Sequence, residues 1–173
     1  VAVVHNGIIE NFRELRQKLE KKGTVFKTET DTEIVLHLVD TLLQQGIKPV
    51  EAVRAALSEL RGAFALGFIF AGEDDLMIGA RNGPPLAIGH GDGEMYLGSD
   101  AIALAPFTDR ITYLDEGDFA VVTRQGVEIR VVHRRKTPVR KRLVHRAGNP
   151  VDVRLGQGQG IMLATFIRKA GLL

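Results

Sequence analysis

The 173-residue chain contains no cysteine. That absence excludes disulfide bonds, thiolate metal sites and a cysteine nucleophile from the chain as given. No apolar run approaches eighteen residues, so no membrane-spanning helix is expected. No signal peptide is recognisable at the start, and a cytoplasmic protein is therefore the expectation. The first residue is Val1 rather than Met and lies in an apolar stretch typical of a strand, so we expect a chain cut at its N-terminus.

Acidic residues are almost absent from the last part of the chain. Residues 133–173 hold 10 Lys and Arg but one acid, Asp152, whereas residues 1–132 hold 13 Lys and Arg against 20 Asp and Glu. The formal net charge of +2 therefore combines a first part at −7 with a second part at +9. Because the excess of positive charge is confined to residues 133–173, it gives no evidence that residues 1–132 bind nucleic acid.

Residues 133–173 permit two interpretations. The stretch HRRKTPVRKRLVHR carries seven Lys and Arg and no acid, which is typical of a solvated extension. A phosphate-binding arm would need interleaved aromatic residues for stacking on bases, and none occurs before Phe166. We therefore predict a globular region at residues 1–132 and, at residues 133–173, a less ordered basic extension that adds nothing to the fold. Nucleic acid is not expected as a partner.

Three helices are predicted in the first sixty residues. Apolar residues at helical spacing predict a helix over residues 10–22 and a second helix from Thr30 or Asp31 to Gly46. Pro49 suits the first turn of a third helix, which ends near residue 60. Between the first two helices, the stretch TVFKT predicts a short strand.

After Gly62 the pattern changes to short strands. The continuously apolar AFALGFIFA is typical of a strand that is covered on both faces. Six further apolar stretches follow, separated by DD, NGPP, GDG, DEGD and RQG, all of which favour turns. The stretch DAIALAPF predicts one more helical turn. The order of elements therefore predicts an α+β fold of mostly antiparallel sheets layered against helices.

The tripeptide His5-Asn6-Gly7 follows the first apolar stretch and precedes the first helix. One interpretation is a tight turn in which Gly7 supplies an unusual backbone angle and Asn6 caps the helix. The other is an anion site, because backbone N–H groups at such a junction lie beside an amide that can also donate. The tripeptide alone favours the turn.

Three stretches, VVHNGIIENFRELRQKL, TETDTEIVLHLV and YLDEGDFAVVTRQGVEI, resemble in order and spacing the glutaminase domain of glutamine–fructose-6-phosphate aminotransferases. The resemblance covers residues 1 to about 132. A phosphoribosyl-pyrophosphate amidotransferase would share HNG and DTE but is not expected to carry IIENF or LDEGD. The resemblance implies a class II amidotransferase of the N-terminal-nucleophile hydrolases. We therefore expect a partial αββα sandwich.

The resemblance also implies roles for three residues. In that family a terminal cysteine attacks the side-chain amide of glutamine, and the Asn and Gly of HNG donate hydrogen bonds to the resulting oxyanion. Those positions are Asn6 and Gly7 here. The Asp of the DTE motif, Asp31 here, binds the α-ammonium of glutamine; capping of the helix it opens is the alternative. No metal or organic cofactor is implied.

The chain departs from that family in several places. The nucleophilic cysteine, an Arg-containing RWATHG segment that holds the substrate carboxylate, and the sugar-phosphate isomerase domain are absent from the sequence as given. By family, the parent would be a homodimer that passes ammonia from glutamine to fructose 6-phosphate, but this chain alone is expected to be inactive. The alternative is a non-catalytic binding module, or an inert fragment, whose basic extension contacts an acidic partner.

Five other polar residues are interpreted as structural. His5 is expected to pack between a strand and a turn, and Glu29 and Glu33 are expected to be solvated charges at a helix start. Ser99-Asp100 is expected to cap the short helix that follows it.

Overall fold

The computed structural model describes residues 1–132 and two short strands at residues 145–146 and 165–167. Its helices are α1 (Phe12–Glu20), α2 (Asp31–Gln44), α3 (Pro49–Leu57) and α4 (Ala101–Leu104). Its strands are β1 (Ala2–Ile9), β2 (Gly62–Ile69), β3 (Met77–Asn82), β4 (Ala87–His90), β5 (Met95–Gly98), β6 (Arg110–Tyr113), β7 (Asp118–Thr123), β8 (Gly126–Val131), β9 (His145–Arg146) and β10 (Thr165–Ile167). Within this described part, no helix has the length and apolar character needed to cross a bilayer.

The strands form two antiparallel sheets. The first sheet has the order β1-β2-β3-β7-β8, and the second has the order β10-β5-β4-β6-β9. Each strand predicted after Gly62 is present as β2 to β8, because the Gly-rich and acidic breaks between the apolar stretches are the turns that join them. The predicted α+β class with mostly antiparallel sheets is confirmed.

A helix layer packs on one face of the first sheet. The helices present apolar stripes at the predicted spacing, and β2 presents every second residue to them. The buried residues of this core include Leu15 and Leu19 of α1, Ile34, Val35, Leu38 and Val39 of α2, Val53, Ala56 and Leu57 of α3, and Phe64, Leu66 and Phe68 of β2.

The opposite face of the first sheet packs against the second sheet. Residues that alternate with the helix-facing set form this core, among them Ala65, Met77, Ile88, Leu97, Ala120 and Val122. Gly79 of β3 sits where the sheets approach closely, since a Cβ built there would lie 2.9 Å from Cδ1 of Leu97. β2 is therefore buried on both faces, as its continuous apolar sequence predicted.

The outer face of the second sheet carries a smaller apolar cluster. Tyr96 and Ala87 pack there with Leu104 of α4, and Ile111 packs against them. The layer order is therefore helices, sheet, sheet and one short helix, which is a partial αββα sandwich.

The predicted strand at TVFKT is not present; residues 24–28 form an irregular connection between α1 and α2. The carboxylate of Glu33 accepts the backbone N–H groups of Lys27 and Thr28, both at 2.7 Å. In a strand these two N–H groups would donate to the carbonyl groups of a neighbouring strand. Here the Glu33 carboxylate accepts them instead, so residues 24–28 need no strand partner.

Two short strands come from the segment predicted to be a basic extension. β9 pairs with β6, and β10 pairs with β5, at the two margins of the second sheet. The expectation that residues 133–173 add nothing to the sandwich is wrong for these five residues. Outer strands offer free backbone N–H and C=O groups, and β9 and β10 pair with these groups on β6 and β5. The predicted order of the rest of this segment lies outside the described residues.

Candidate functional site

The His5-Asn6-Gly7 tripeptide lies inside β1 rather than in a loop after it. Gly7 has a φ of 123°, and a Cβ built there would lie 2.1 Å from the carbonyl oxygen of Ala63. This position therefore requires glycine both for its backbone angle and for the close approach of β2. The predicted turn is wrong, since β1 continues to Ile9 and Asn6 caps no helix, but the predicted positive φ at Gly7 is correct.

Neighbouring side chains of β1 point to opposite faces of the first sheet. Ile9 lies in the core under the helices, and His5 and Gly7 share its side by alternation. Asn6 is on the other side, paired across the ladder with Ala65, whose side chain packs between the two sheets. The His5 imidazole therefore faces the helices, whereas the Asn6 amide faces away from them.

We call the side of β1 that carries Ala2, Val4, Asn6 and Ile8 the open face. Val4 is 38% exposed, Ile8 is 65% exposed, and Ile69 on the same side of β2 is 43% exposed. Among the described residues, the second sheet stops short of this side of β1. Asn6 therefore lies between the exposed Val4 and Ile8 on its own strand and opposite the buried Ala65 of β2, at the margin of the inner face of the sandwich.

Asp31 is joined to β1 by a direct hydrogen bond. It is the first residue of α2, and its Oδ2 accepts the backbone N–H of Ile9 at 2.8 Å. Its Oδ1 lies 3.6 Å from Nδ1 of His5, and the side chain is 24% exposed. Thr30 holds the N-cap position, and Asp31 lies in the first turn of α2, where a carboxylate suits the positive end of the helix dipole. The carboxylate also lies beside the strand that carries Asn6 and Gly7.

The His5 side chain is buried between β1 and the start of α2, next to Asp31. Its side chain is 3% exposed, and Nδ1 lies 3.0 Å from Oγ1 of Thr32. Its Nε2 is buried without a hydrogen-bond partner. Burial lowers the pKa of His5 below 6.5, and the opposing attraction of Asp31 is the smaller effect. The imidazole is therefore neutral at pH 7.

Glu33 organises the connection before α2, contrary to the expectation of a solvated charge. Its carboxylate accepts from the backbone of residues 27 and 28, from Oγ1 of Thr28 at 2.6 Å, and contacts Nε2 of His37 at 3.4 Å. Thr30 and Glu33 have the spacing of a capping box, but Thr30 makes no side-chain cap bond and its N–H donates to Oγ1 of Thr28. Glu29 is 96% exposed, as expected.

The hydrogen bonds to Glu33 make its stability contribution depend on pH. They lower its pKa from 4.5 to about 2, chiefly through the Thr28 hydroxyl and the Lys27 N–H. A carboxylate with a lowered folded-state pKa stabilises the fold above its unfolded pKa, and this is lost as pH falls toward 2. Glu33→Gln should therefore lower the thermal unfolding midpoint at pH 7. The difference from the unmodified chain should shrink below pH 4.5, and a pH-independent difference would contradict this assignment.

Asp100 caps α4 as predicted. Its Oδ1 accepts the backbone N–H of Ala103 at 2.8 Å. The backbone N–H of Ala101 donates to the Tyr113 hydroxyl at 3.0 Å, so β6 also holds the helix start. The Ser99-Asp100 pair therefore serves the fold on the outer face of the second sheet.

Metal-binding side chains do not cluster in the described part of the chain. No group of three or more His, Asp or Glu side chains is arranged there to hold a metal ion. The buried His90 instead lies 2.9 Å from Oγ1 of Thr112, and burial is the main cause that lowers its pKa.

Sequence reasoning missed the side chains that fix the end of β1. Asn11, the N-cap of α1, accepts the N–H of Arg61 at 2.9 Å and donates to the carbonyl of Glu59 at 2.8 Å. Asn82, at the end of β3, donates to the carbonyl of Gly62. The Asn11 bonds hold the residues before β2 to the start of α1, and the Asn82 bond holds the first residue of β2 to β3. Their partners are twenty to fifty residues away, so no local pattern indicates them.

A comparison with protein-family models identifies the chain. The model described as a glutamine amidotransferase domain matches residues 1–106, more than half of the chain. The chain belongs to this family. In this domain the HNG motif lies in β1, and Asp31 of the DTE motif is hydrogen-bonded to the same strand.

Curated relatives of the amidotransferase domain are much longer proteins. Glutamine–fructose-6-phosphate aminotransferase (isomerizing) of Bradyrhizobium diazoefficiens is 79% identical over 129 residues, which cover 75% of this chain and 21% of that protein. The protein of the same name from Brucella abortus is 67% identical over 129 residues, with the same coverage. The chain thus spans about a fifth of the length of the relatives it matches.

Solved structures agree on the fold of the amidotransferase domain. The glutamine phosphoribosylpyrophosphate amidotransferase of B. subtilis matches with a TM-score of 0.61 and 29% identity, over 76% of this chain and 29% of that one. A structure described as the allosteric regulatory enzyme of purine biosynthesis matches with a TM-score of 0.60. The predicted N-terminal-nucleophile amidotransferase architecture is confirmed.

Proposed function

We propose that this domain is the glutamine-handling part of a glutamine–fructose-6-phosphate aminotransferase. The parent would hydrolyse glutamine and pass the ammonia to fructose 6-phosphate, yielding glucosamine 6-phosphate. The observation that carries the proposal is the bond from the Ile9 N–H to Asp31, which brings the HNG strand and the DTE helix to one place. The names and identities of the relatives support the choice of sugar phosphate.

Asn6 and Gly7 are proposed to donate to the oxyanion of the tetrahedral intermediate. In an antiparallel ladder, alternate N–H groups point to the same side of a strand. The Ile9 N–H points to Asp31 rather than to β2. By this alternation, the Gly7 N–H also points away from β2, toward the free side of β1. Donors fixed in advance where charge develops are worth roughly 3 kcal/mol of barrier each.

Asp31 is proposed to bind the α-ammonium of glutamine. Its Oδ2 is held by the backbone of β1, and its Oδ1 lies 3.6 Å from Nδ1 of His5. A carboxylate that is about one-quarter exposed is accessible to a cation while it is fixed in orientation. The ammonium would be paired in the ground state and in the transition state alike.

The proposed nucleophile is not part of this chain, which has no cysteine. We propose that a segment from outside residues 1–173 brings it to the open face, since Asn6 lies there between the exposed side chains of Val4 and Ile8. The terminal amine of such a nucleophile would serve as its base. Residues 1–132 would then supply the donors and the ammonium site.

The 173-residue chain alone should release no glutamate from glutamine above the uncatalysed rate. Donors for an oxyanion are of no use where no group attacks the amide. Glutamate release by the purified chain, measured with a coupled dehydrogenase, tests this. Activity that disappears in Asn6→Ala would overturn it.

The role of Asp31 is tested in a chimaera. The matched 129-residue segment of the Bradyrhizobium relative is replaced by the corresponding residues of this chain. Asp31→Asn should raise the glutamine KM about 30- to 150-fold, the loss of a charged hydrogen bond worth about 2–3 kcal/mol. The kcat should change less than about 3-fold, because uniform binding is what is lost.

Asp31→Asn removes the negative charge but keeps an oxygen that can accept the Ile9 N–H. The variant therefore tests the charge while the hydrogen bond to β1 remains. The matched control is Asp40→Asn near the other end of α2, where the carboxylate accepts from Gln44 at 2.7 Å. The control should leave the glutamine KM unchanged. An unchanged KM in Asp31→Asn, with a folded and active chimaera, would exclude the proposed ammonium site.

A further inference from the structure

We propose that His5 is a positioning residue that holds Asp31 and Thr32 of α2 against β1 and must stay neutral for glutamine to bind. The proposal rests on the proposed function of Asp31, because it concerns how that carboxylate is held for the substrate ammonium. Its observations are the 3.0 Å contact of Nδ1 with the Thr32 hydroxyl, the 3.6 Å approach of Nδ1 to Asp31 Oδ1, and the burial of the ring.

The surroundings of the ring assign its tautomer. Nδ1 faces two oxygens, whereas Nε2 is buried without a partner. A proton on Nε2 would leave a buried donor unpaired, which folded proteins avoid more strictly than an unpaired acceptor. The neutral Nδ1–H tautomer therefore fits the site. Its N–H donates to Thr32 and presents its positive end to Asp31.

The same geometry explains why a charged ring would oppose substrate binding. Asp31 is the charged group that acts on His5 from α2, and the residue opposite on β2 is the apolar Leu66. An imidazolium would place a full positive charge beside the carboxylate that is proposed to receive the ammonium. The two cations would then compete for one carboxylate. Burial lowers the pKa of His5, which keeps the ring neutral near pH 7.

The first measurement uses the full 173-residue chain and needs no substrate. Nitrogen-15 NMR of the imidazole, assigned with a His5 variant, should report the Nδ1–H tautomer at pH 7. The pKa of His5 should fall further in Asp31→Asn, because the attraction that opposes burial is removed. An Nε2–H tautomer, or a pKa that Asp31→Asn leaves unchanged, would overturn the proposal.

The second measurement uses the chimaera and compares two variants. His5→Asn places an amide N–H near the position of Nδ1 without a titrating group, whereas His5→Phe keeps a ring but no donor. His5→Phe should raise the glutamine KM about 3- to 10-fold, the loss of one hydrogen bond, and His5→Asn should remain within about 3-fold. As pH falls from 7 to 5, the KM should rise more in the unmodified chimaera than in His5→Asn.

The outcomes separate this inference from the proposed function. If Asp31→Asn leaves the glutamine KM unchanged, the proposed ammonium site fails, whatever the NMR result. If Asp31→Asn raises the KM but His5→Asn and His5→Phe behave alike at every pH, the ammonium site stands and the positioning role of His5 is refuted. Rescue by His5→Asn, together with loss of the pH dependence, is the result that supports it.

Discussion

In the chimaera, Asn6→Ala is expected to lower kcat for glutamine hydrolysis about 100- to 1,000-fold, the measured range for removing one oxyanion donor. The glutamine KM should change less than about 3-fold, since the oxyanion exists only after attack and the amide makes no equal contact in the ground state. The measurement is steady-state glutamate release over a range of glutamine concentrations. Asn6 is suited to this role because its amide lies on the open face and is not part of the helix-facing core.

The matched control for Asn6→Ala is Asn11→Ala. Asn11 also carries a partly buried amide, but its bonds go to the backbone of Arg61 and Glu59. Its loss should lower the thermal unfolding midpoint and leave kcat within about 3-fold, because a structural hydrogen bond stabilises the ground and transition states equally. If Asn6→Ala and Asp31→Asn changed the same kinetic parameter by the same factor, the separate roles proposed for them would be wrong.

Gly7→Ala should destabilise the chain by about 3 kcal/mol or more, measured by urea unfolding of the 173-residue protein. Two costs add at this position. The φ of 123° is unfavourable for any side chain, and the new Cβ would meet the carbonyl oxygen of Ala63 at 2.1 Å. That oxygen belongs to the backbone of β2, so it cannot move aside without breaking the β1–β2 ladder.

Gly93→Ala separates the two costs of Gly7→Ala. Gly93 also has a positive φ, 69°, but a Cβ built there has no atom within 4 Å. Its substitution should cost about 1–2 kcal/mol, from backbone strain alone. Equal losses of stability in the two variants would contradict the close contact between Gly7 and the carbonyl oxygen of Ala63. Failure of Gly7→Ala to fold, with Gly93→Ala folded, agrees with the expectation.

Much of the fold follows from local signals. The strands after Gly62 are short, apolar and separated by strong turn sequences, so their existence and order could be predicted. The helices were also predictable from spacing, although α1 and α3 are shorter than expected. The residue at which a helix begins or ends depends on hydrogen bonds to distant parts of the chain. At the start of α1, for example, the Asn11 side chain accepts the N–H of Arg61, fifty residues away.

The two wrong predictions of local structure share one cause. In each case the backbone bonds to a group of another helix or strand that the local sequence does not reveal. The tripeptide HNG alone favours a turn because Asn and Gly usually mark one, yet it pairs with β2, and Gly7 is a strand residue with a positive φ. The stretch TVFKT has strand composition, but the Glu33 carboxylate takes its backbone donors. In both cases tertiary contacts override local propensity.

The sequence offers the candidate residues of the site but not the contacts that join them. Asn6, Gly7 and Asp31 came from the resemblance of two short motifs to the amidotransferase family. The bond from Ile9 to Asp31 spans 22 residues, and the approach of His5 to Thr32 spans 27. Only the packing of α2 on β1 brings these groups together, so the positioning role proposed for His5 has no counterpart in the sequence pattern.

The outer position of β1 also bears on how the isolated chain behaves in solution. Ala2–Ile9 contains no charged residue and no proline, and its exposed side includes Val4 and Ile8. Natural proteins protect such margins with lysines, prolines or bulges, because an uncharged strand with a free ladder side is a template for pairing with another chain. In the described part of this chain, no such protection interrupts β1. A solution of the isolated chain is therefore open to self-association through β1, and protein concentration becomes a variable to hold fixed whenever glutamine binding is measured.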